Sequence, residues 1–297
     1  MRKMTELGFK GKCVIVTGGS RGLGYEIARE FVSLGANICI CARDTEELRN
    51  AVKSLSVMKI SDQQKILCKQ TDISKTEDID EMYDYAQYEL NGLDIVVNNA
   101  SIQGPIGQFE QVSWEDTQRV LCVDLFGTLY SMRRAVTLFK ELNNNDRADK
   151  SIINISGGGA TSPRPRFMGY AVAKTGVIRA TEILAKETEQ FGIRVNAVAP
   201  GIMNTRMLDD IIFAGEEAGL EYEKSIIQKN VGKDSIKKAA NCVMWLASEQ
   251  SIGISGRLIS AVWDDWEQYS AKQIEEIGKN DIFTLRRVIP EDRNLMI

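Results

Sequence analysis

Short β-branched runs alternate with segments of helical spacing along most of this chain. The run "KCVIVTG" (12–18) predicts a strand. In "GYEIAREFVSLG" (24–35) the apolar residues Ile27, Ala28, Phe31, Val32 and Leu34 fall on one helical face, and Gly35 closes the segment. "NICICA" (37–42) predicts a second strand, and "TEELRNAVKSL" (45–55) a second helix with Thr45 as N-cap. Further strands are expected at 64–70, 93–99, 150–156, 193–200 and 256–262. Helices are expected between them at 74–90, 113–142, 170–191 and 234–249. "ELNNNDRADK" (141–150) reads as a polar surface loop.

Continuous apolar strands alternating with helices imply a parallel sheet covered on both faces. Right-handed crossovers then give an α/β, doubly wound sheet. No internal repeat or low-complexity linker interrupts the pattern. After Trp263 the sequence turns charged and irregular. Residues 1–263 are therefore expected to form the sheet-bearing domain, and 264–297 an appended extension, not a separate domain.

Composition narrows the function classes. The chain has 297 residues, 43% hydrophobic and 26% charged, enough for a large buried core. A net charge of −4 argues against nonspecific binding to nucleic acid or anionic membranes. No apolar run approaches the roughly 20 residues of a membrane span. The N-terminus lacks the apolar core of a signal peptide, so a cytoplasmic location is expected. The 6 cysteines show no C-x-x-C pair and read as buried free thiols in a reducing compartment. With no histidine in the chain, histidine general bases and histidine metal sites are excluded, and no metal is expected.

"VIVTGGSRGLGYEIA" places Gly18, Gly22 and Gly24 between the first strand and first helix. Glycines there permit a tight turn and close approach of a pyrophosphate to free N–H groups at a helix N-terminus. The second strand ends "CICARDTEEL". An acidic residue at that strand end usually bonds the ribose 2′-hydroxyl of NAD. Here Arg43 stands close to that position and Arg21 lies in the glycine loop, a pair suited to clamping a 2′-phosphate. NADP(H) is the preferred cofactor on this reading. Asp44 leaves room for NAD(H).

"YAVAK" places Tyr170 and Lys174 four apart, on one helical face. A free tyrosine titrates near about 10 and is a poor base at neutral pH. A neighbouring ammonium favours the phenolate and lowers that value.

"TGGSRGLG" (17–24), "NNAS" (98–101), "YAVAK" (170–174) and "PGIMNT" (200–205) together resemble the short-chain dehydrogenase/reductase family, in its order and spacing, over about residues 9–263. The resemblance implies a single Rossmann-like domain with strand order 3-2-1-4-5-6-7, using NAD or NADP without metal. It assigns Thr17, Gly18, Ser20, Gly22, Leu23 and Gly24 to the cofactor loop. It assigns Asp72 and Ile73 to adenine contacts, and Asn98 and Ala100 to the segment against the adenosine ribose. Pro200, Gly201, Ile202 and Thr205 match the loop over the nicotinamide. Tyr170 would move a proton to or from the substrate oxygen, and Lys174 would also hold the nicotinamide ribose.

Three positions depart from the family's pattern. Ser101 stands where a glycine is usual. Gly157, in "NISGGG", stands where the active-site serine is usual, with Ser156 one position earlier. Strand alternation sends the Ser156 side chain to the other side from residue 157. Asp124, in "VDLFG", stands where the family has an asparagine that holds a water relay to the lysine. Ser156, Thr161, Ser162 or a glycine N–H at 157–159 are the candidate replacements for the serine. Asp124 would stabilise protonated Lys174.

The expected function is an NADP(H)-dependent oxidoreductase interconverting a carbonyl and a secondary alcohol. The loops 104–111 and 202–230 carry Gln108, Asp209 and Glu216, with Gln103 beside them, and suggest a polar small-molecule substrate. "SPRPR" is a candidate contact for an anionic group. Two alternatives stay open: a nucleotide-binding regulatory protein with a retired site, and an enoyl or dienoyl thioester reductase. The family usually forms homodimers or homotetramers through the long fourth helix and the tyrosine-bearing helix. The stripe Leu121, Leu125, Leu129 and Met132 fits either that interface or core packing. The extension, with Trp263, Trp266 and Tyr269, is expected over a neighbouring subunit or the chain's own active site.

Overall fold

A computed structural model describes residues 8–142, 149–231 and 234–293. Most of the polar loop expected at 141–150 lies outside the described residues. So do the first seven residues of the N-terminal stretch and the last four of the extension.

Seven strands form one parallel sheet: β1 (Cys13–Thr17), β2 (Asn37–Ala42), β3 (Ile66–Gln70), β4 (Ile95–Asn98), β5 (Lys150–Ile155), β6 (Ile193–Ala199) and β7 (Leu258–Ser260). Their order across the sheet is 3-2-1-4-5-6-7. The direction of winding therefore reverses between β1 and β4, and the carboxyl ends of these strands border a crevice. Helices α1 (Gly22–Ser33), α2 (Thr45–Ser56) and α9 (Asp234–Ala247) share one core with Val14, Val16, Ile38 and Ile40. On the other face, α3 (Thr76–Leu90) and α5 (Thr128–Leu142) pack against Ile15, Cys39 and Val96. Successive strand side chains point to opposite faces, and both faces are covered, so every position of β1 must be buried.

The long helical segment expected at 113–142 is continuous but not uniform. It runs as α4 (Trp114–Val120), a π-helical stretch (Leu121–Gly127) and α5. Such stretches are rare and tend to occur at functional sites. This one carries Asp124, which is fully buried. The apolar stripe divides accordingly: Met132 is buried, whereas Leu129 is 36% exposed. Cysteine burial is also mixed. Cys13, Cys39, Cys41 and Cys242 are buried free thiols, but Cys68 is half-buried and Cys122 exposed. Cys122 sits on the outward side of the π stretch, where apolar neighbours in sequence do not imply burial in space.

Helix α6 (Met168–Thr188) carries Tyr170 and Lys174. Residues 202–230 contain two helices, α7 (Arg206–Ala214) and α8 (Leu220–Val231). They meet the opposite wall: Phe167, Ile211 and Ala218 form a small buried cluster with Ile106 and Tyr222 packed on it.

The extension is more ordered than its composition suggests. It includes α10 (Ala271–Lys279), which starts with a reciprocal capping box between Ser270 and Gln273. Trp266 stacks on Trp245 of α9 at 5.7 Å between ring centroids. Leu258 N–H of β7 donates to Phe283 C=O at 2.9 Å. The Arg257 guanidinium donates to the carbonyls of Ile277, Gly278 and Asn280. Leu285 N–H donates to the Glu182 carboxylate of α6 at 2.5 Å. These contacts lie on its own chain, against α9, β7 and α6. Trp263 stays 85% exposed.

Candidate active site

The glycine loop is held from behind by β4. Thr17 Oγ1 accepts from the N–H groups of Asn99 and Ala100 at 2.9 and 3.0 Å. Asn99 Nδ2 donates to the carbonyls of Thr17 and Gly18 at 2.9 and 3.2 Å. The loop also packs directly on α1, since a Cβ on Gly24 would stand 2.2 Å from the Gly18 carbonyl oxygen. Helix α1 begins at Gly22 with no side-chain cap and no acidic residue in its first turn. Its first N–H groups are thus free for an anion, which fits a pyrophosphate. Gly22 itself has φ +56° and faces Thr205, whose methyl would be 3.6 Å from a Cβ there. This brings the 200–205 loop, with buried Pro200 and exposed Gly201 and Ile202, alongside the phosphate loop.

Asn98 is placed differently from its neighbours. Its side chain turns into a buried network, donating to Asn154 Oδ1 at 2.8 Å and accepting from Ser131 Oγ at 2.6 Å. Asn99, one position on, is the side chain that shapes the glycine loop, and only tertiary placement distinguishes it from Asn98.

Beyond the end of β2, Glu47 gathers several groups. Arg21 binds its carboxylate at 2.8 Å, Arg206 at 3.0 Å, and Ser20 Oγ at 3.3 Å. Asp44, and not Thr45, caps α2, accepting from Glu47 N–H at 2.9 Å. Arg43 is exposed at the end of β2. Burial pushes the Asp72 carboxyl up, but two bonds from Ser74 and the nearby Arg43 charge outweigh it, holding Asp72 below the ordinary range. Ile73, beside it, is buried.

At the chemical end, Tyr170, Lys174 and Asp124 come together. Lys174 Nζ lies 3.5 Å from Asp124 Oδ2 and donates to the Ile155 carbonyl at 3.2 Å. It stands 5.5 Å from the centre of the Tyr170 ring. Asp124 also accepts from Ser101 Oγ and, at 2.9 Å, from Ile102 N–H. The Ser101 hydroxyl and the Asp124 carboxylate thus answer each other across two separate elements. Burial raises the Asp124 carboxyl above its ordinary value, although Lys174, Ser101 and Ile102 N–H pull it down.

The Tyr170 phenol also titrates above its ordinary value. Burial is the main cause, Lys174 pulls it down, Asp124 pushes it up, and Arg164 pulls it down. The lysine acts in the expected direction, but desolvation outweighs it. Tyr170 therefore rests as a proton-carrying phenol at neutral pH.

A Cβ on Gly157 would stand 2.1 Å from the Tyr170 hydroxyl. The room a serine side chain would need is taken by the tyrosine. Ser156 is buried, and its Oγ finds no partner among the described residues. Thr161 and Ser162 are exposed. None of the three bonds to Tyr170.

A crevice at the strand-order reversal, an uncapped glycine loop and a Tyr-Lys pair behind β5 occur here in one chain. The family described as short chain dehydrogenase matches residues 12–213. This chain belongs to that family. It is 38% identical over 248 residues to 3beta-hydroxysteroid dehydrogenase 1 of Eggerthella lenta, covering 83% of this chain and 90% of that one. It is 32% identical over 246 residues to glucose 1-dehydrogenase 2 of Bacillus subtilis, covering 83% and 91%. Its fold superposes on a short-chain type dehydrogenase/reductase from Mycobacterium ulcerans with a TM-score of 0.75 at 25% identity, covering 86% and 89%. It is thus a short-chain dehydrogenase/reductase, an oxidoreductase of the type that uses a nicotinamide nucleotide. Among the described residues no cluster of His, Cys, Asp or Glu could hold a metal. No helix there is long and apolar enough to cross a membrane.

Proposed function

We propose that this enzyme interconverts a carbonyl and a secondary alcohol on a polar small molecule, with NADP(H) as the preferred cofactor. The observation that carries the reading is the buried Tyr170–Lys174–Asp124 constellation beside the glycine run. A bound nicotinamide supplies or accepts the hydride. Tyr170 gives its proton to the carbonyl oxygen in reduction and takes one from the hydroxyl in oxidation. Lys174 places its ammonium group beside the Tyr170 ring and would hold the nicotinamide ribose of a bound cofactor. Asp124 and the Ile155 carbonyl hold the ammonium in place.

Cofactor preference rests on the arginines. Asp44, the acid that would otherwise favour NAD, is occupied as the cap of α2. Arg43 is exposed at the strand end, and Arg21 stands nearby in its bond to Glu47. A 2′-phosphate gains a bidentate partner in Arg43 and competes with Glu47 for Arg21. NAD(H) remains the weaker ligand on this account.

A polar substrate is favoured by Gln103. It is buried, and both of its amide atoms lack a partner among the described residues. Its neighbour Ile102 packs on the cluster of Val120, Tyr170 and Ala173. An unpaired buried amide is costly, so a ligand that bonds it gains selectivity. Self-association would use the outward faces of the π stretch and α6, where Phe126, Val172 and Ile183 are exposed.

The test is substrate-dependent NADPH oxidation by the pure protein on a panel of polar ketones, aldehydes and acyl thioesters. Turnover of a carbonyl supports the reading. Turnover of enoyl or dienoyl thioesters alone moves the chemistry to a C=C bond, and cofactor binding without any turnover points to a regulatory role.

A further inference from the structure

The glycine run 157–159 packs against two side chains. One is Tyr170, already described. The other is Arg164. A Cβ on Gly158 would touch Arg164 Cδ, Nε and Cζ, each at 3.6 Å, and a Cβ on Gly159 would stand 2.9 Å from Arg164 Cβ. The guanidinium therefore lies along the backbone next to the position where the family has its serine. It stacks on Phe167 at 3.8 Å and stands 5.8 Å from the centre of the Tyr170 ring.

Its position is held from α8. Arg164 Nε and a terminal guanidinium nitrogen each lie 3.0 Å from Glu221 Oε2 of α8. Glu221 also takes Lys224 at 2.8 Å. The Arg164 and Glu221 side chains are only 13% and 18% exposed, so this is a largely desolvated group. Two cations on one carboxylate leave a net positive charge. By contrast, Lys174 is balanced by Asp124 where the family has a neutral asparagine. The charged groups facing Tyr170 are Lys174 on its own helix, Asp124 on the π stretch and Arg164 on the loop, with Glu221 and Lys224 behind Arg164.

We propose that Arg164 is a positioning residue for the proton transfer: its guanidinium, seated on the glycine run, stabilises the negative charge left on the Tyr170 oxygen. It thereby takes over a task of the absent serine and offsets Asp124. The inference rests on Tyr170 being the proton donor. When Tyr170 gives up its proton, its O–H bond breaks, the substrate O–H bond forms, and the phenolate remains beside Arg164. The electrostatic pull of Arg164 on the phenol acts in the same direction. The loop is thus read as a charge-bearing arm, and its Arg164 is not free to bind a substrate anion without leaving Glu221.

The test is the titration of Tyr170 in the intact protein without substrate. The ultraviolet difference between wild type and Tyr170→Phe isolates its phenolate, and pH-jump recording reads it before unfolding. Arg164→Met should raise the midpoint by about one pH unit, a tenfold drop in phenolate fraction. Arg164→Lys should recover most of that shift. Glu221→Gln, which removes the countercharge, should lower the midpoint. A purely structural latch would move both Arg164→Met and Glu221→Gln the same way by loosening α8 from the loop. That result, or an unchanged midpoint in Arg164→Met, overturns the proposal. If Arg164→Met fails to fold, Arg164→Gln takes its place: a raised midpoint supports the proposal, and a lowered or unchanged one overturns it. Because no turnover is required, failure here is distinct from failure of the proposed reaction.

Discussion

The hydroxyl of Tyr170 occupies the space in which a side chain at position 157 would begin, 2.1 Å from where its Cβ would stand. The glycine is therefore part of the tyrosine's seat. Putting a serine back does not restore a hydrogen bond here; it pushes the phenol out of place. Gly157→Ser and Gly157→Ala should both cost about 1–3 kcal/mol of stability through overpacking. Each should also lower kcat by about tenfold or more, since a misplacement of an ångström is expensive in proton transfer. Urea denaturation and steady-state kinetics check this pair. Increased activity in Gly157→Ser would show that the seat has been misread.

The direction of the Tyr170 shift sets a pH dependence. Burial keeps the phenol protonated above its ordinary value of about 10. Reduction, which needs the phenol as donor, should be flat through neutral pH and fall only in alkali. Oxidation, which needs the phenolate, should rise with pH across the same range. Asp124→Asn removes the charge that pushes the phenol up, so both limbs should move to lower pH. Profiles of kcat/KM in the two directions measure this. Movement of the limbs to higher pH in the variant would contradict the electrostatics.

Much of this architecture can be read from the chain, and the reasons are physical. Strands buried on both faces tend to be continuously apolar, so β1, β2 and β4 stand out, whereas the order across the sheet follows from the family resemblance and the edge strand β3 is only half-buried. Tyr170 and Lys174 are legible because a helix fixes what four residues of spacing means. Asp124 is legible as a departure, but not its pairing with Ser101, because the two lie on separate elements. The π stretch leaves no mark in apolar spacing. Nor do the bonds of Glu47 to Arg21 and Arg206, or of Arg164 to Glu221, since long charged side chains choose partners by tertiary placement. The extension misleads for a related reason. Its order comes from rings and carbonyls that meet α9, β7 and α6, and a charged composition conceals that.

The arginine account of cofactor choice makes a selective prediction. Arg43→Ala should weaken NADPH binding by about tenfold or more, the scale of a lost charged hydrogen bond, and leave NADH almost unchanged. Glu47→Gln should release Arg21 and tighten NADPH without tightening NADH. Fluorescence titration with both nucleotides reads the ratio. Equal losses for both in Arg43→Ala would remove the arginine from the 2′-phosphate.

The extension contributes to the stability of its own chain. Trp266 is 3% exposed and stacks on Trp245, and its indole N–H donates to the Ala261 carbonyl at 3.3 Å. Trp266→Ala should cost about 3–5 kcal/mol. It should also expose residues after 263 to proteolysis before the rest of the chain. Denaturant midpoints and limited digestion followed by mass analysis check both. Unchanged stability would mean that the extension is not packed as described.

The central claim is that Tyr170 moves the proton while the chain's glycine loop holds the nucleotide independently of it. The most direct measurement is single-turnover oxidation of bound NADPH by a carbonyl substrate, in wild type and in Tyr170→Phe, alongside NADPH affinity in each. The account predicts a hydride-transfer rate at least about a hundredfold lower in the variant, on the scale of general acid catalysis, with nucleotide affinity within about twofold. Equal single-turnover rates in the two proteins would contradict it.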